Sequence, residues 1–495
     1  MLEITGLQRT ALEEYFKDFR ENTVGHDANF ETPYGVMPLI YADWTASGRL
    51  YGPIEDMLKN EFGPLVGNTH TETNYTGTSM THAYHEAQQI IKNHVNASHN
   101  DVLLSVGSGM TGAMAKLQRI LGFKIPSLAQ KYLSLPQTER PVVFITHMEH
   151  HSNQTSWHET IAVVEIIPPN EHGLPDLEKF AALLDIYQFA KTKIASITSC
   201  SNVTGIQTPY QKIAKMMHQA GGWCFVDFAC SAPYVDINMH PEDPEERLDV
   251  ISFSPHKFLG GPGTTGILIF NSALYAPGQV PDQPGGGTVT WTNPWGEHSY
   301  YDDIQTREDG GTPPFMQTIK TALCVKLKEK MTTKAIWQRE HQMVEKIFKM
   351  LSQISNIHIL ADNITDRLGV ISFYIDDLHF NLGVKLLNDR FGVQVRGGCS
   401  CAGTYGHYLL HVEKEFSRQI TCRIDQGDLT EKMGWIRMSI HPTMTDADLD
   451  YVLEAIAQVA FNHKIWAKDY QYDPQENNFM HLEEPKRSMR SYFEL

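Results

Sequence analysis

The chain has 495 residues, too many for one hydrophobic core, so two or three domains are expected. Hydrophobic content of 41% and charged content of 20% are ordinary for a globular protein, and no run of about 18 apolar residues offers a membrane span. The net charge of −17 is spread along the chain, which argues against nucleic acid as a partner, because phosphate backbones are held by clustered Lys and Arg.

Residues 1–20 read as an amphipathic helix rich in Glu and Lys, with neither the apolar core nor the basic lead of a signal peptide. A cytoplasmic location is therefore expected. The seven cysteines (Cys200, Cys224, Cys230, Cys324, Cys399, Cys401 and Cys422) are odd in number and scattered, so reduced thiols are expected rather than a disulfide framework.

Further along, short β-rich runs alternate with helical patterns. The runs are 102–106, 142–146, 163–167, 194–198, 223–226, 250–253 and 267–270, several of them Val/Ile-rich throughout, as in strands buried on both faces. Between two of them lies a helix over 209–220, with Ile213, Met216 and Met217 at helical spacing, Pro209 at its start and Gly221-Gly222 at its end. This alternation predicts a mostly parallel sheet with helices on both faces. Residues 283–301, rich in Gly, Pro and Trp, read as an irregular loop.

The pattern changes near residue 315. A long helical region (316–352) precedes strands at 369–375, 393–396 and 435–440, a helix over 382–390, and a helix starting at Asp446 with Leu449, Val452 and Ile456 on one face. The organisation expected is an α/β protein with a large domain over 36–315, a smaller α+β domain over 316–495, and residues 1–35 packing near the small domain.

In an open α/β sheet, ligands bind beyond the carboxyl ends of the strands, and the informative residues follow those ends. Gly107-Ser108-Gly109 is a glycine-rich turn into a helix, able to offer N–H groups to a phosphate, though such turns are more often merely tight. Glu149-His150-His151-Ser152-Asn153 comes next. Adjacent histidines rarely face one ion, so no metal is expected, and a ring stacked on a cofactor is the other use of such a residue. Ser201-Asn202-Val203-Thr204-Gly205 is a polar turn. Asp227 is a charge at the end of an apolar strand, where it would either cap the next turn or serve a ligand. Ser254-Pro255-His256-Lys257 follows the next strand. Lys can attach covalently to an aldehyde, and pyridoxal 5′-phosphate (PLP) needs such a Lys together with an Asp that keeps its ring nitrogen protonated. Asp227 and Lys257 lie one strand–helix–strand step apart, so they are expected at neighbouring strand ends.

These blocks, with Tyr41-Ala42-Asp43-Trp44-Thr45-Ala46-Ser47 before them and Gly310-Gly311-Thr312-Pro313 after, resemble the class V aminotransferases, fold type I PLP enzymes, and within them the cysteine desulfurase and selenocysteine lyase branch. The resemblance implies a seven-stranded sheet with PLP on Lys257, His150 stacked on its ring, and Asp227 at its ring nitrogen. It places Asn202 near the ring oxygen or the substrate carboxylate, and Ser108, Gly109, Ser254 and His256 at the phosphate. Thr312 would reach the phosphate of a neighbouring subunit, making the active site shared in a homodimer. Arg396-Gly397-Gly398-Cys399-Ser400-Cys401 resembles the desulfurase loop (396–403), in which an Arg binds the substrate carboxylate and a Cys five residues later takes the sulfur; Arg437 matches a second carboxylate Arg.

The activity implied is conversion of L-cysteine to L-alanine with a persulfide on Cys401 and a sulfur-acceptor protein downstream. The alternative is a class V aminotransferase or another PLP-dependent lyase, with Cys401 a structural thiol. Three features depart from the family's pattern: Cys230 stands where Gln or His is common, residues 404–434 form an insertion, and Cys399 adds a second thiol, as in molybdenum-cofactor sulfurases.

Overall fold

The seven apolar runs form one sheet. Its strands are β1 (Asp101–Val106), β2 (Val142–Thr146), β3 (Val163–Ile167), β4 (Lys193–Thr198), β5 (Trp223–Asp227), β6 (Val250–Phe253) and β7 (Gly266–Asn271), in the spatial order β1-β7-β6-β5-β4-β2-β3. β7 runs antiparallel to both its neighbours, and every other pairing is parallel. Strands β1 to β6 therefore all end on the same edge. Every residue of β2, β4 and β6 is buried, which is why these strands read as continuous apolar runs rather than alternating ones. The expected fold class, a mostly parallel seven-stranded α/β sheet with a smaller α+β unit, is the one found.

The computed structural model describes residues 6–69, 71–483 and 489–494. They divide into two compact units: a large one from Asn22–Val24 and Thr45–Gln338, and a small one from the described parts of Met1–Glu21, Gly25–Trp44 and Arg339–Leu495. In the large unit, α1 (Gly109–Ile120) follows β1, α2 (His151–His158) follows β2, and α3 (Tyr210–Gln219) links β4 to β5. α3 buries Ile213, Ala214 and Met217 and starts at Pro209. It ends where Gly221 turns left-handed, at φ 73°, and the Gly222 N–H reaches back to the Met217 carbonyl at 2.8 Å. Each large aliphatic side chain so buried contributes roughly 1.5–3 kcal/mol.

The small unit carries an antiparallel sheet of β8 (Ile357–Ile359), β9 (Val370–Ile375), β10 (Arg396–Gly398) and β11 (Trp435–Ser439), ordered β8-β9-β11-β10. Its helices include α4 (Phe380–Phe391), α5 (Gly403–Leu409), α6 (Lys414–Asp425) and α7 (Asp446–Trp466). Thr445 and Asp448 close a capping box at the start of α7, which buries Leu449, Val452 and Ile456.

Several segments differ from the sequence expectation. The strand expected at 393–396 is split: Val393–Gln394 pairs in parallel with Ile40–Tyr41, and Arg396–Gly398 pairs with β11. The loop expected over 283–301 contains a bulged hairpin, Val289–Thr292 with His298–Tyr300. Beyond residue 470, where the polar sequence gave no element, a second hairpin joins Tyr470–Asp473 to Asn478–His481, its turn closed by Asp473 Oδ1 accepting from the Gln475 and Glu476 N–H groups. Among the described residues, no helix is long and apolar enough to cross a membrane.

Candidate active site

In the large unit the residues singled out from the sequence gather at the common strand edge. Asp227 ends β5, opposite Thr198 of β4 on one side and Ser252 of β6 on the other. It is buried, and its Oδ1 accepts the Ala229 N–H at 2.8 Å. Burial pushes its pKa up to about 6; the Ala229 N–H and the Lys257 charge pull the other way. Lys257 closes the one-turn 3₁₀ segment Pro255–Lys257 just beyond β6, its N–H donating to the Ser254 carbonyl at 3.1 Å.

Ser254 connects this turn to the glycine-rich one, since its Oγ accepts the Met110 N–H at 2.8 Å. Ser108 and Gly109 both have positive φ, 65° and 61°. A Cβ on Gly109 would sit 2.8 Å from Ser254 Oγ and 3.8 Å from His256 Cδ2, so glycine is required where these three segments meet. Burial, with the Lys257 charge, pushes the His256 pKa down to about 4, leaving the ring neutral at physiological pH. Ser108 also lines a cavity of about 790 Å³ whose wall includes Lys116, Arg119 and the exposed Thr312.

His150 caps α2, its Nδ1 accepting the Ser152 N–H at 3.1 Å. Asn202 is buried beside Ser201, whose Oγ accepts the Val203 and Thr204 N–H groups. The buried Cys230 thiol donates to the Ser201 carbonyl at 3.7 Å and so links the Asp227 loop to the Asn202 loop.

Nothing in the sequence alone points to a role for Glu149. Its Oε1 accepts the Thr146 and Thr198 N–H groups at 3.1 and 3.0 Å, and its Oε2 accepts Asn153 Nδ2 at 2.8 Å. One fully buried carboxyl thus fastens the ends of β2 and β4 together immediately before His150. Burial raises its pKa to about 7, against the pull of those hydrogen bonds.

The small unit holds the remaining candidates. Arg396 and Arg437 are directly opposed across β10 and β11. Both bind Asp43: Arg396 Nε meets Oδ2 at 3.1 Å, and Arg437 Nη2 meets Oδ1 at 2.8 Å. After β10 the chain turns at Cys399–Ala402, where the Ala402 N–H reaches the Cys399 carbonyl at 3.0 Å. Ser400 and Cys401 are successive non-glycine residues with positive φ, 51° and 56°. Such backbone costs roughly 1–2 kcal/mol per residue. Cys401 is exposed and Cys399 half-buried. The insertion folds as α5 and α6, and His407, near Cys401 in sequence, is turned towards α6, with Nδ1 on the Gly403 carbonyl (2.7 Å) and Nε2 at Ser417 Oγ (2.8 Å).

The aminotransferase class-V family matches residues 40–452, which span every one of these sites. The chain belongs to that family. Its relatives include a probable cysteine desulfurase of Staphylococcus epidermidis, 28% identical over 369 residues (74% of this chain, 83% of the relative), and a cysteine desulfurase of Haloferax volcanii, 26% identical over 391 residues (77% and 85%). A solved cysteine desulfurase structure from Thermococcus onnurineus superposes with a TM-score of 0.70 at 20% identity, covering 90% of this chain and 98% of that one. This class V chain is accordingly a PLP-dependent enzyme of fold type I.

The residues present fit PLP. A buried carboxyl whose ionisation is opposed by burial and helped by one backbone N–H and a lysine is suited to a cationic ring nitrogen. The junction at Gly109, which a Cβ would fill, opens a helix N-terminus where backbone N–H groups favour a phosphate.

Proposed function

We propose that this enzyme is a cysteine desulfurase: it converts L-cysteine to L-alanine and takes the sulfur as a persulfide on Cys401. The observation that carries the reading is an exposed thiol, Cys401, five residues after an arginine whose side chain is 52% exposed, Arg396, in a chain that matches cysteine desulfurases over most of their length.

PLP, when bound, supplies an electron sink for negative charge at the substrate Cα. Lys257 is the attachment point for PLP, and its Nζ takes the Cα proton once released. Asp227 keeps the ring nitrogen protonated, and the His150 ring stacks on the cofactor. Ser108, Gly109, Ser254 and His256 hold the phosphate. Arg396, with Arg437 behind it and Asn202 at the ring, holds the substrate carboxylate. Cys401 Sγ attacks the substrate sulfur as thiolate; the substrate Cβ–Sγ bond breaks, its electron pair stays on Cβ, and a proton there together with return of the Cα proton from Lys257 completes alanine. The protein works in the cytoplasm as a homodimer, with Thr312 reaching the neighbouring subunit's phosphate, and hands its sulfur to an acceptor protein.

The test is to incubate purified protein with L-cysteine and with a panel of other amino acids while assaying sulfide, alanine and keto acids. With a thiol reductant present to release the persulfide sulfur, alanine and sulfide in equal amounts are expected from cysteine and from no other amino acid. Keto acids from a non-thiol amino acid, with no cysteine turnover, would replace this reading with transamination.

A further inference from the structure

Arg396 and Arg437 face one another across β10 and β11, an arrangement in which like charges repel. Asp43 resolves it by giving one carboxylate oxygen to each guanidinium. The three side chains differ sharply in exposure: 3% for Arg437, 12% for Asp43 and 52% for Arg396. Arg437 and Asp43 thus make a buried pair. Arg396 is engaged through Nε, and its Nη groups, the pair that forks a carboxylate, make no hydrogen bond among the described residues.

The backbone under Asp43 is fixed. The Ala42 N–H donates to the Gln394 carbonyl at 2.9 Å, the Ser439 N–H donates to the Ala42 carbonyl at 2.8 Å, and Asp43 bridges Ser439. The next residue, Trp44, is buried and stacked on His441, ring centroids 4.0 Å apart.

We infer that Asp43 is a positioning and specificity-setting residue for the substrate carboxylate. It aims the Nη edge of Arg396 and cancels one of two guanidinium charges, so the cluster carries one net positive charge and matches an amino acid with one side-chain-free carboxylate better than a dicarboxylic one. The inference rests on the proposed role of Arg396 as the carboxylate-binding residue.

The test titrates the holoenzyme with L-alanine and with L-aspartate, followed by the visible absorbance of the cofactor, and compares the ratio of the two dissociation constants. In Asp43→Asn the cluster gains a net charge, and the aspartate-to-alanine ratio is expected to fall about tenfold. In the double variant Asp43→Asn with Arg437→Met, which removes the buried pair together, the ratio is expected to return to within about threefold of wild type. A purely structural Asp43 would weaken both ligands alike and leave the ratio unmoved. An unchanged ratio in Asp43→Asn, or no return in the double variant, overturns the inference. Should Asp43→Asn not fold, Arg437→Met alone carries the test: the cluster loses its net charge, and the ratio is expected to rise about tenfold; an unchanged ratio contradicts the role. Sulfide release from cysteine is assayed on the same wild-type protein. Its absence with the expected ratios removes the desulfurase reading and leaves the Asp43 role standing, whereas sulfide release with unchanged ratios does the reverse.

Discussion

The strand edge of the large unit and the cysteine turn of the small unit are built on opposite terms. At the strand edge, the carboxyls of Asp227 and Glu149 are buried and their pKa values pushed up by that burial, in segments cross-tied by Ser254, Cys230 and Glu149 itself. At the turn, Cys401 is exposed, on left-handed backbone, with the Ala402 N–H on the Cys399 carbonyl across it. Groups that must tune a cofactor's charge belong where water is excluded and geometry is held. A thiol that must receive sulfur and surrender it to another molecule has to be reachable instead.

The comparison breaks most completely at Lys257. Lys257→Ala should lower turnover on the order of 10⁴-fold or more and leave no borohydride-reducible linkage to PLP; a surviving reducible linkage would place the attachment elsewhere.

Asp227→Asn should cut turnover by about 10²–10³-fold yet stabilise the cofactor-free protein. The sign follows from the raised pKa: between 3.8 and about 6 the unfolded chain loses a proton that the folded one keeps, so this group's contribution is full below 3.8 and is lost as pH rises through about 6. At neutral pH the variant is expected to gain up to about 3 kcal/mol in denaturant unfolding of the cofactor-free form. Loss of both activity and stability would show that Asp227 is a structural group rather than a cofactor partner.

Glu149→Gln sharpens the contrast with a smaller effect. The amide puts an N–H where Asn153 Nδ2 donates, which costs about 1–3 kcal/mol. It also removes the ionisation cost that burial imposes as pH rises through about 7, so the denaturation midpoint should fall at pH 5 and fall less at pH 8. An unchanged midpoint at pH 5 would mean that the tie between β2 and β4 is dispensable.

Much of the large unit was legible because parallel strands buried on both faces leave uninterrupted Val/Ile runs, and because helix punctuation at Pro209 and Gly221 is local. The roles of Glu149 and Asp43 were not legible, since each depends on a distant partner: Thr198 lies 49 residues from Glu149, and Arg396 and Arg437 lie 353 and 394 residues from Asp43. Both carboxylates stood in blocks that matched the family, and neither block says what its acid holds. The helix Lys414–Asp425 was also missed, for a plain reason: it buries only Ile420, so it leaves almost no apolar period to read.

The most direct test of the central claim is the mass of the Cys401 peptide after one turnover with L-cysteine in the absence of reductant. A gain of one sulfur on Cys401, with one alanine formed per active site, is the expected result. Cys401→Ser should keep the cofactor spectrum and form no persulfide, and Cys399→Ser should still form it on Cys401. Alanine formation without added sulfur on Cys401, or undiminished sulfide release by Cys401→Ser, would contradict the account.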